Sequence, residues 1–426
     1  MFIINIFLII NTMTQRTINC PIHGVITLTS RMCSIIDTPE FQRLHRLRQL
    51  GVTHYVYPSA THTRFEHSIG VSHLAKILLT SLHAKQPNLG IDNTLIELYQ
   101  VAGLLHDIGH GPFSHLYDDE IINPEEEQHE VRGITIFKNM IQKYTLPFNK
   151  REIEFIINLI EPPKKLQNNW LYQIINNKLC SIDVDKIDYI QRDCYHLGFG
   201  INETFERLLT MCETKSMVID KGETSELKLV LAWPIKLQDE VMSLFETRYR
   251  LHKRVYTHHT VKAIEQVVTK ILIEIKRSSN IDLSQSFDDI ISFPFQNHTI
   301  NNLQRQLEFR HHPKLFGEKT ITNCKSPDSN EDDEIGKKCT LLQATLSQKG
   351  ILTTVMKTKI GFISGNGENP LNTVPYFEKG ESQAKKGLRY DTFMAPKNCQ
   401  EYIYRMYITN KEQIDYARQC WNAIMK

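Results

Sequence analysis

Apolar residues recur at helical spacing through most of the first 280 residues, and this periodicity restricts the chain to a mainly helical core. Over residues 37–51, Asp37 as a cap, Pro39 in the first turn and Gly51 at the end are the signals that start and stop a helix. We predict further helices over 66–83, 95–108, 130–144, 151–160, 170–180, 181–197 and 236–277.

The last part of the chain has a different pattern. Residues 320–340 are polar, acidic and rich in helix breakers, which predicts a loop or linker. Residues 341–363 and 402–408 have strand character, as does the run 227–233, and a helix is predicted at 411–425. We therefore predict a mainly α fold in four parts: a disordered leader at 1–15, a core with a helical extension at 16–319, a linker at 320–340, and a smaller α+β C-terminal lobe at 341–426.

The composition excludes several classes of protein. The 50 Lys and Arg residues nearly balance the 48 Asp and Glu residues, so no overall basic field supports a nucleic-acid partner. Nine cysteines without a C-x-x-C pair fit neither a zinc ribbon nor a disulfide framework, and they indicate a reducing compartment. The apolar opening MFIINIFLIINTM is too short to span a bilayer and lacks a basic flank. We expect no membrane partner and a cytoplasmic or nuclear location.

Histidine is concentrated in one stretch, because 10 of the 18 histidines lie within residues 45–129. A helical core does not need this enrichment, since histidine is a mediocre helix former with a polar ring to satisfy. The pair His106-Asp107 ends an apolar helix, just before glycines that let the backbone turn, and His110 and His115 follow. Taken alone, the pair also fits a capping histidine and a surface aspartate.

Two further patterns supply ligand types for the same site. His67 lies near a helix start in the motif RFEH, where an exposed histidine is the simpler alternative. Within SIDVDKIDYIQRD, the residues Asp185, Tyr189 and Asp193 share one helical face, although a solvated charged face is also consistent. Two imidazoles and two carboxylates suit Fe, Mn, Zn or Mg beside a phosphate substrate, and the candidate ligands are His67, His106, Asp107 and Asp185.

A third set of polar residues at i, i+4 and i+8 lies on the predicted long helix, at Arg248, His252 and Tyr256. An arginine can clamp a phosphate through its forked donors, and a tyrosine can lie against a sugar. A core tyrosine with an exposed arginine explains the same pattern equally well.

Four segments closely resemble, in order, the motifs of the HD-domain deoxynucleoside triphosphate (dNTP) triphosphohydrolases: RFEHSIGVSHLA, AGLLHDIGHGPFSH, IDVDKIDYIQRDCYHLG and TRYRLHKRVYTH. The likeness runs from about Ile18 to Glu318, with a weaker echo in the final helix. It is nearest to the vertebrate enzyme that joins a sterile-alpha-motif domain to an HD domain. About 20 residues precede the HD region here, so no sterile-alpha-motif domain is expected in them. The resemblance implies an HD-domain helical fold.

The resemblance also implies a reaction and a role for each matching residue. It places a divalent metal on the same four ligands and implies that water attacks the α-phosphorus, releasing deoxynucleoside and intact triphosphate. The triphosphate would be held by Arg64, Lys186 and Arg248. The catalytic cleft would be lined by His110, His115, His129 and Asp118, with His115 protonating the leaving 5′-oxygen. The deoxyribose and base would contact Gln49, Leu50, Tyr189, Asp193 and Tyr256, and a tyrosine near the sugar would exclude a 2′-hydroxyl.

The resemblance further implies a homo-oligomer, a dimer or tetramer, activated by GTP or dNTP bound between subunits. The positions that match the family's activator contacts are Arg16, Asp37, Gln42, His45, Arg207, Arg310 and Lys314. His45 stands in place of an arginine and Glu240 in place of an asparagine, and both changes weaken the binding of a phosphate-rich ligand. Thr257 replaces a glutamine near the substrate.

Two other functions remain as alternatives. A related HD phosphohydrolase would act on nucleoside monophosphates or cyclic nucleotides, but Arg64, Lys186 and Arg248 carry more positive charge than a monophosphate requires. From a different class, a non-catalytic nucleotide sensor or nucleic-acid-binding oligomer could retain the fold. It is disfavoured because every metal ligand and cleft histidine is present.

Overall fold

The computed structural model describes residues 15–122, 128–200, 205–221, 224–322, 330–361, 370–387 and 400–425. Of the predicted leader at 1–15, only residue 15 lies within these ranges. The helices are α1 Ser30–Ile36, α2 Pro39–Gln42, α3 Arg64–Lys85, α4 Asn93–Leu105, α5 His115–Glu120, α6 His129–Tyr144, α7 Lys150–Ile160, α8 Val184–Leu197, α9 Glu206–Thr210, α10 Gln238–Leu251, α11 His259–Ser278, α12 His298–Glu308, α13 Asn330–Gln348 and α14 Ile414–Ile424.

Helices outweigh the strands among the described residues, so the predicted mainly α class is confirmed. Short strands complete the fold. The strands are β1 Arg16–Cys20, β2 Gly24–Leu28, β3 Glu213–Lys221, β4 Thr224–Pro234, β5 Lys314–Ile321, β6 Thr353–Gly361, β7 Pro375–Phe377, β8 Lys385–Lys386 and β9 Gln400–Ile408. They form a β1-β2 hairpin, a sheet of order β3-β4-β7-β8, and a sheet of order β5-β9-β6. In the third sheet, β9 lies in the middle and pairs antiparallel with both neighbours.

The core of the larger part is built around α3. This helix packs against α4 and α8, and α10 packs on α8. Tyr99, Phe137, Phe245 and Trp233 are among the largest fully buried side chains of this core. Burial of each such side chain stabilises the fold by roughly 1.5–3 kcal/mol, so the helices around α3 are held rigidly.

A second apolar cluster joins the helical extension to two loops of the larger part. Val268 of α11 and Ile300 of α12 are fully buried in it, together with Val52 and Phe113, which lie in loops before α3 and α5. The helical extension is therefore packed against these two loops.

The C-terminal lobe has its own apolar cluster, which includes Phe316 of β5, Leu342 of α13 and Trp421 of α14. Its first strand is thus β5, not a strand beginning at residue 341. The predicted linker at 320–340 was wrong for residues 330–340, which belong to α13, and the predicted strand at 341–363 holds only for β6. Buried Cys339, Leu342 and Leu346 on one side of α13 override the breaker-rich composition before it.

Other helix predictions were corrected in their extent. Thr38 rather than Asp37 caps α2, which gives way to a 3₁₀ turn at Arg43–Arg46, so no helix continues to Gly51. Residues 170–180 contain only a 3₁₀ turn at Trp170–Tyr172. The long helix predicted over 236–277 is interrupted between α10 and α11. Among the described residues, no helix combines the length and the apolar character that crossing a bilayer requires.

Candidate active site

Helices α3 and α4 bring two histidines together. A capping box of Thr63 and Glu66 starts α3, so His67 lies in its first turns. Helix α4 ends at Leu105, and His106 follows as its C-cap. The two helices approach closely at Gly103, where a Cβ would lie 2.9 Å from the Ser72 Cα atom. This contact places His106 beside His67.

Helix α8 brings the third segment. The side chain of Asp183 caps α8 by accepting a hydrogen bond from the Lys186 backbone N–H at 2.9 Å, which fixes Asp185 in the first turn. Helix α8 approaches α3 at Gly70, where a Cβ would lie 1.9 Å from Asp188 Oδ1. The absence of a side chain at this position therefore determines how close Asp185 comes to His67.

The four predicted metal ligands converge. His67 Nε2 lies 3.0 Å from Asp185 Oδ1, 3.3 Å from His106 Nε2 and 3.6 Å from Asp107 Oδ2. His106 Nε2 lies 3.4 Å from Asp107 Oδ1 and 3.5 Å from Asp185 Oδ1. Ligand atoms that share one cation at about 2.0–2.2 Å are about 3 Å apart, so a small shift would let all four bind a single ion.

The tautomers of both histidines suit this role. His106 Nδ1–H donates to the Gly103 carbonyl at 2.7 Å, and His67 Nδ1–H donates to Asp188 Oδ2 at 2.8 Å. Each ring therefore turns Nε2 to the centre, where it would offer its lone pair to a bound cation, as a metal ligand must. The residues thus fit a divalent cation by donor type, spacing and tautomer.

Asp188 is a supporting residue that the sequence analysis did not identify. Its fully buried carboxylate accepts hydrogen bonds from His67, from Arg192 at 2.9 Å and from His23 Nε2 at 2.6 Å. Burial opposes its ionisation, but Arg192, His23 and His67 outweigh burial and hold its pKa well below the ordinary value. The i, i+4 spacing of Asp188 and Arg192 was a signal for this pair, whereas nothing in the sequence indicated His23.

The negative charges of the carboxylates strongly favour positive charge at the site. Burial disfavours a protonated His67, but hydrogen bonds to Asp185 and Asp188 outweigh it and raise the pKa of His67 to about 10. Burial likewise disfavours an ionised Asp107, yet Arg64 and His106 hold its pKa well below the ordinary value. A divalent cation would supply this positive charge.

A cluster of histidines, which we call the cleft, adjoins the four ligands. His110 Nε2 lies 3.4 Å from Asp107 Oδ1, and the ring of His110 stacks on that of His129 with 3.9 Å between centroids. His129 Nδ1–H donates to Asp118 at 2.9 Å, and the His115 ring centroid lies 5.4 Å from that of His110. All four residues predicted to line the catalytic cleft are therefore brought together.

Two glycines and one arginine shape this cleft. A Cβ at Gly109 would lie 2.0 Å from the His129 carbonyl oxygen, so Gly109 allows α6 to come near. Arg132, which the sequence analysis missed, forms an ion pair with Asp118 and donates to the Gly109 carbonyl at 3.1 Å. A Cβ at Gly111 would meet the ring of Tyr117 at 2.3 Å.

Two histidines of the cleft, His110 and His115, are held neutral when no substrate is bound. Burial, together with the positive charge of Arg64, lowers the pKa of His110 well below its ordinary value. His115 remains accessible at the cleft, yet desolvation by the surrounding walls, followed by Arg64 and His129, lowers its pKa to about 4. The cleft thus favours negative charge in whatever it binds.

Arg64 links the ligands to the loop before α5. Its side chain forms an ion pair with Asp107, and its Nε–H donates to Ser114 Oγ at 2.7 Å. Ser114 has a φ of 55° and Phe113 a φ of 60°, both in the left-handed region that residues other than glycine seldom occupy. Conformations of this kind persist where the surroundings hold them in place.

The remaining residues that are predicted to bind substrate lie around the same cleft. Lys186 Nζ lies 3.4 Å from Asp183, and Arg248 is buried, donating to the Tyr189 hydroxyl at 3.2 Å and to the Gly361 carbonyl at 2.9 Å. Helix α10 does not continue regularly beyond Leu251, because His252–Tyr256 form a π-turn. Turns of this kind are frequent at functional sites, and here one separates Arg248 from Tyr256.

Asp193 is enclosed rather than open to the cleft. His62 Nε2–H donates to one of its carboxylate oxygens at 2.7 Å, and the Tyr256 hydroxyl donates to the other. Its carboxylate therefore holds Tyr256, and direct contact with a substrate stays a prediction. Gln49 and Leu50 are half-buried, and Gln49 Oε1 is buried without a hydrogen-bond partner among the described residues.

The residues that match activator contacts fall into three groups. In the first, Arg16 pairs with Asp37 at 2.6 Å, Gln42 donates to the Ile36 carbonyl at 2.8 Å, and the exposed ring of His45 stacks on Phe65. In the second, Arg207 forms an ion pair with Glu240. In the third, Arg310 donates to the Tyr55 carbonyl at 3.1 Å, and Lys314 Nζ lies 3.4 Å from His312 Nε2.

Replacing Asp188 with asparagine is expected to weaken metal binding by about 10- to 100-fold, because the variant loses the charge that orients His67. Titration of Mn²⁺ into metal-stripped protein by calorimetry measures this affinity. The control is Asp415→Asn, since Asp415 is 86% exposed and pairs with nearby Arg418 at 3.5 Å. Equal Mn²⁺ affinity in the wild type and Asp188→Asn would contradict the role of Asp188.

Comparison with known proteins identifies similar sequences. The HD domain family matches residues 64–193. The deoxynucleoside triphosphate triphosphohydrolase SAMHD1 of Xenopus laevis is 30% identical over 476 aligned residues, which cover 95% of this chain and 73% of that protein. An HD domain-containing protein of Acanthamoeba polyphaga mimivirus is 30% identical, covering 95% of this chain and 94% of that protein. Human SAMHD1 is 35% identical over 291 residues, 61% of this chain and 45% of that protein.

Proposed function

Because this chain belongs to the family of SAMHD1-type HD-domain hydrolases, we propose that it is a dNTP triphosphohydrolase that releases deoxynucleoside and triphosphate. The observation that carries the proposal is the convergence of His67, His106, Asp107 and Asp185, with both Nε2 atoms turned inward. A divalent cation held there, of Fe, Mn, Zn or Mg, would lower the pKa of a water and withdraw charge from a phosphoryl oxygen.

The charges around the cleft support a polyphosphate substrate. Arg64, Lys186 and Arg248 are all largely buried near the ligands, and the adjoining His110 and His115 are neutral without substrate. Three buried cations provide more charge than one phosphate group needs, whereas a triphosphate can engage all of them. In our proposal Arg248 and Lys186 bind the triphosphate, and Arg64 additionally orients Asp107.

His115 is the proposed proton donor. As water bonds to the α-phosphorus, the bond from that phosphorus to the 5′-oxygen breaks. The attacking water gives up a proton to solvent, and the leaving oxygen takes up a proton from the donor. With a pKa lowered to about 4, His115 is neutral at pH 7 in the free protein. Bound phosphates bring negative charge close to the ring and favour its protonated form, which can then donate to the 5′-oxygen.

Selectivity for a deoxy sugar would come from the aromatic side of the cleft. Tyr256 is held by Asp193, and Tyr189 by Arg248, so both rings have fixed positions. A rigid ring beside the sugar leaves no room for a 2′-hydroxyl. The unpartnered Oε1 of Gln49 would accept a hydrogen bond from the nucleoside.

Incubation of the purified protein with each dNTP and Mn²⁺, with and without GTP, tests the proposal. Chromatography of the products is expected to show deoxynucleoside and intact triphosphate in equal amounts. Release of orthophosphate from nucleoside monophosphates, or opening of cyclic nucleotides, with dNTPs left intact, would instead identify the related phosphohydrolase. Nucleotide binding without any product would identify a sensor.

Activation by GTP or dNTP, with assembly into a dimer or tetramer, is the further part of the proposal. The matching residues lie at three places on one chain, as expected for a ligand that bridges subunits. Arg207 is already paired with Glu240, which competes with a phosphate for the guanidinium. Light scattering with and without GTP measures the assembly directly.

Replacing Arg248 with alanine is expected to raise the KM for dNTP by about 30-fold or more, because a forked donor to the triphosphate is lost. The matched control is Arg250→Ala, since Arg250 is 61% exposed and pairs with Glu246 at 2.6 Å. Steady-state kinetics of both variants provides the measurement. An unchanged KM in Arg248→Ala would argue against triphosphate binding by Arg248.

A further inference from the structure

Asp288 is a buried acidic residue that the proposed mechanism does not use. It lies at the start of a 3₁₀ turn, Asp288–Ser292, in the helical extension, and only 1% of it is exposed. A buried carboxylate is costly unless hydrogen bonds compensate it. The partners of Asp288 therefore indicate what the residue is for.

The carboxylate of Asp288 joins two loops that are distant in sequence. Oδ2 accepts the backbone N–H of Arg48 at 2.8 Å, and Oδ1 accepts the backbone N–H of Phe113 at 2.7 Å. The Arg48 guanidinium is 3.8 Å away, so the two amides are the close partners. One side chain of the extension thus fixes the spacing of both loops.

Each loop carries residues of the proposed cleft. Arg48 precedes Gln49 and Leu50, the residues assigned to the nucleoside. Phe113 precedes Ser114, which holds Arg64, and His115, the proposed proton donor. The loops also touch each other, because a Cβ at Gly51 would lie 3.5 Å from the Phe113 carbonyl oxygen.

Arg43 makes a second connection between the extension and this region. Arg43 donates to the Ser286 carbonyl at 2.8 Å and, through its other nitrogen, to the carbonyls of Ile108 at 2.8 Å and His110 at 2.9 Å. Arg43 and Asp288 therefore connect the extension to the segment that runs from the metal ligands to His115. The left-handed conformations of Phe113 and Ser114 need such external support.

We propose that Asp288 is a positioning residue of the catalytic cleft, which holds the nucleoside loop at 48–50 and the proton-donor loop at 113–115 at a fixed distance. The inference rests on the proposed function for its kinetic consequence, but the structural consequence is independent of it. Burial raises the pKa of Asp288 to about 6, against the effect of the two amide donors and Arg48. The carboxylate thus carries an energetic cost that a purely apolar side chain would avoid.

The variant Asp288→Asn tests the proposal. An amide of the same size can accept only one of the two N–H groups and presents its own N–H to the other. Hydrogen exchange followed by mass spectrometry is expected to show faster exchange in both loops together. In dNTP hydrolysis we expect kcat to fall and KM to rise, lowering kcat/KM by about 10- to 100-fold, with metal content unchanged.

The matched control is Asp289→Asn, because Asp289 is adjacent, 45% exposed, and pairs with exposed Arg46 at 3.1 Å. Neither exchange nor kinetics should change in this variant. The proposal is overturned if Asp288→Asn leaves both loops protected, or if both loops exchange faster while kcat and KM stay within twofold of the wild type.

Two further measurements keep the test decisive. If Asp288→Asn yields no folded protein, Asp288→Glu replaces it, because the longer side chain keeps the charge but displaces both acceptor oxygens. With Asp289→Glu as control, the same changes in loop exchange and kinetics are expected; unchanged values overturn the proposal. If the wild type does not hydrolyse dNTPs, the proposed function fails. Hydrogen exchange in the two loops then tests by itself whether Asp288 holds them in position.

Discussion

Asp107→Ala is expected to lower dNTP hydrolysis by at least about 1,000-fold, because the variant loses a metal ligand and leaves Arg64 buried without its ion-pair partner. Bound metal, measured by mass spectrometry of the purified protein, should fall together with the activity. The control is Asp415→Ala, which removes a carboxylate at an exposed position.

The two readouts separate the explanations of a negative result. Loss of activity with full metal content would assign Asp107 to catalysis or to orienting Arg64 instead of to the cation. Full activity in Asp107→Ala would refute the ligand set on which the whole proposal depends. Circular dichroism of the variant shows whether the buried Arg64 has disturbed the fold.

His115→Ala should lower kcat by about 100- to 10,000-fold, the range that a positioned proton donor contributes. KM should change little, because His115 acts on the leaving oxygen and not on the triphosphate. The control is His83→Ala, since His83 is exposed near the end of α3. A substrate whose leaving group needs no proton, such as 4-nitrophenyl triphosphate, in which 4-nitrophenolate replaces the deoxynucleoside as the leaving group, should be hydrolysed by His115→Ala at nearly the wild-type rate.

The opposite pattern would reassign the residue. If His115→Ala raises KM and leaves kcat unchanged, His115 binds the substrate and another group supplies the proton. His129 would then be the next candidate, because it is hydrogen-bonded to Asp118 and stacked on His110.

Much of this architecture was accessible from local sequence signals. Helical spacing and caps predicted α3, α4, α6, α7 and α8, and the motifs around them predicted a family that the relatives confirm. The four ligands could be selected because each one is attached to a recognisable helix end. In the structure these helix ends lie side by side, and the four ligands therefore meet.

The parts that could not be predicted depend on contacts between distant segments. Asp188 and Asp288 appear in sequence as ordinary acidic residues, and only the fold shows that His23 contacts the first and Phe113 the second. Helix α13 was hidden because the polar residues before it dominated the local composition. The strand β5 was missed because its partner, β9, follows many residues later.

Two glycines allow the three helices that carry the metal ligands to pack closely together. At Gly103 and Gly70, helix α3 meets α4 on one side and α8 on the other with no room for a methyl group. These two contacts therefore set how near His67 comes to His106 on one side and to Asp185 on the other. A single added methyl group at either glycine would push the helices apart, so the smallest substitution at a position outside the ligand set would disturb the metal site.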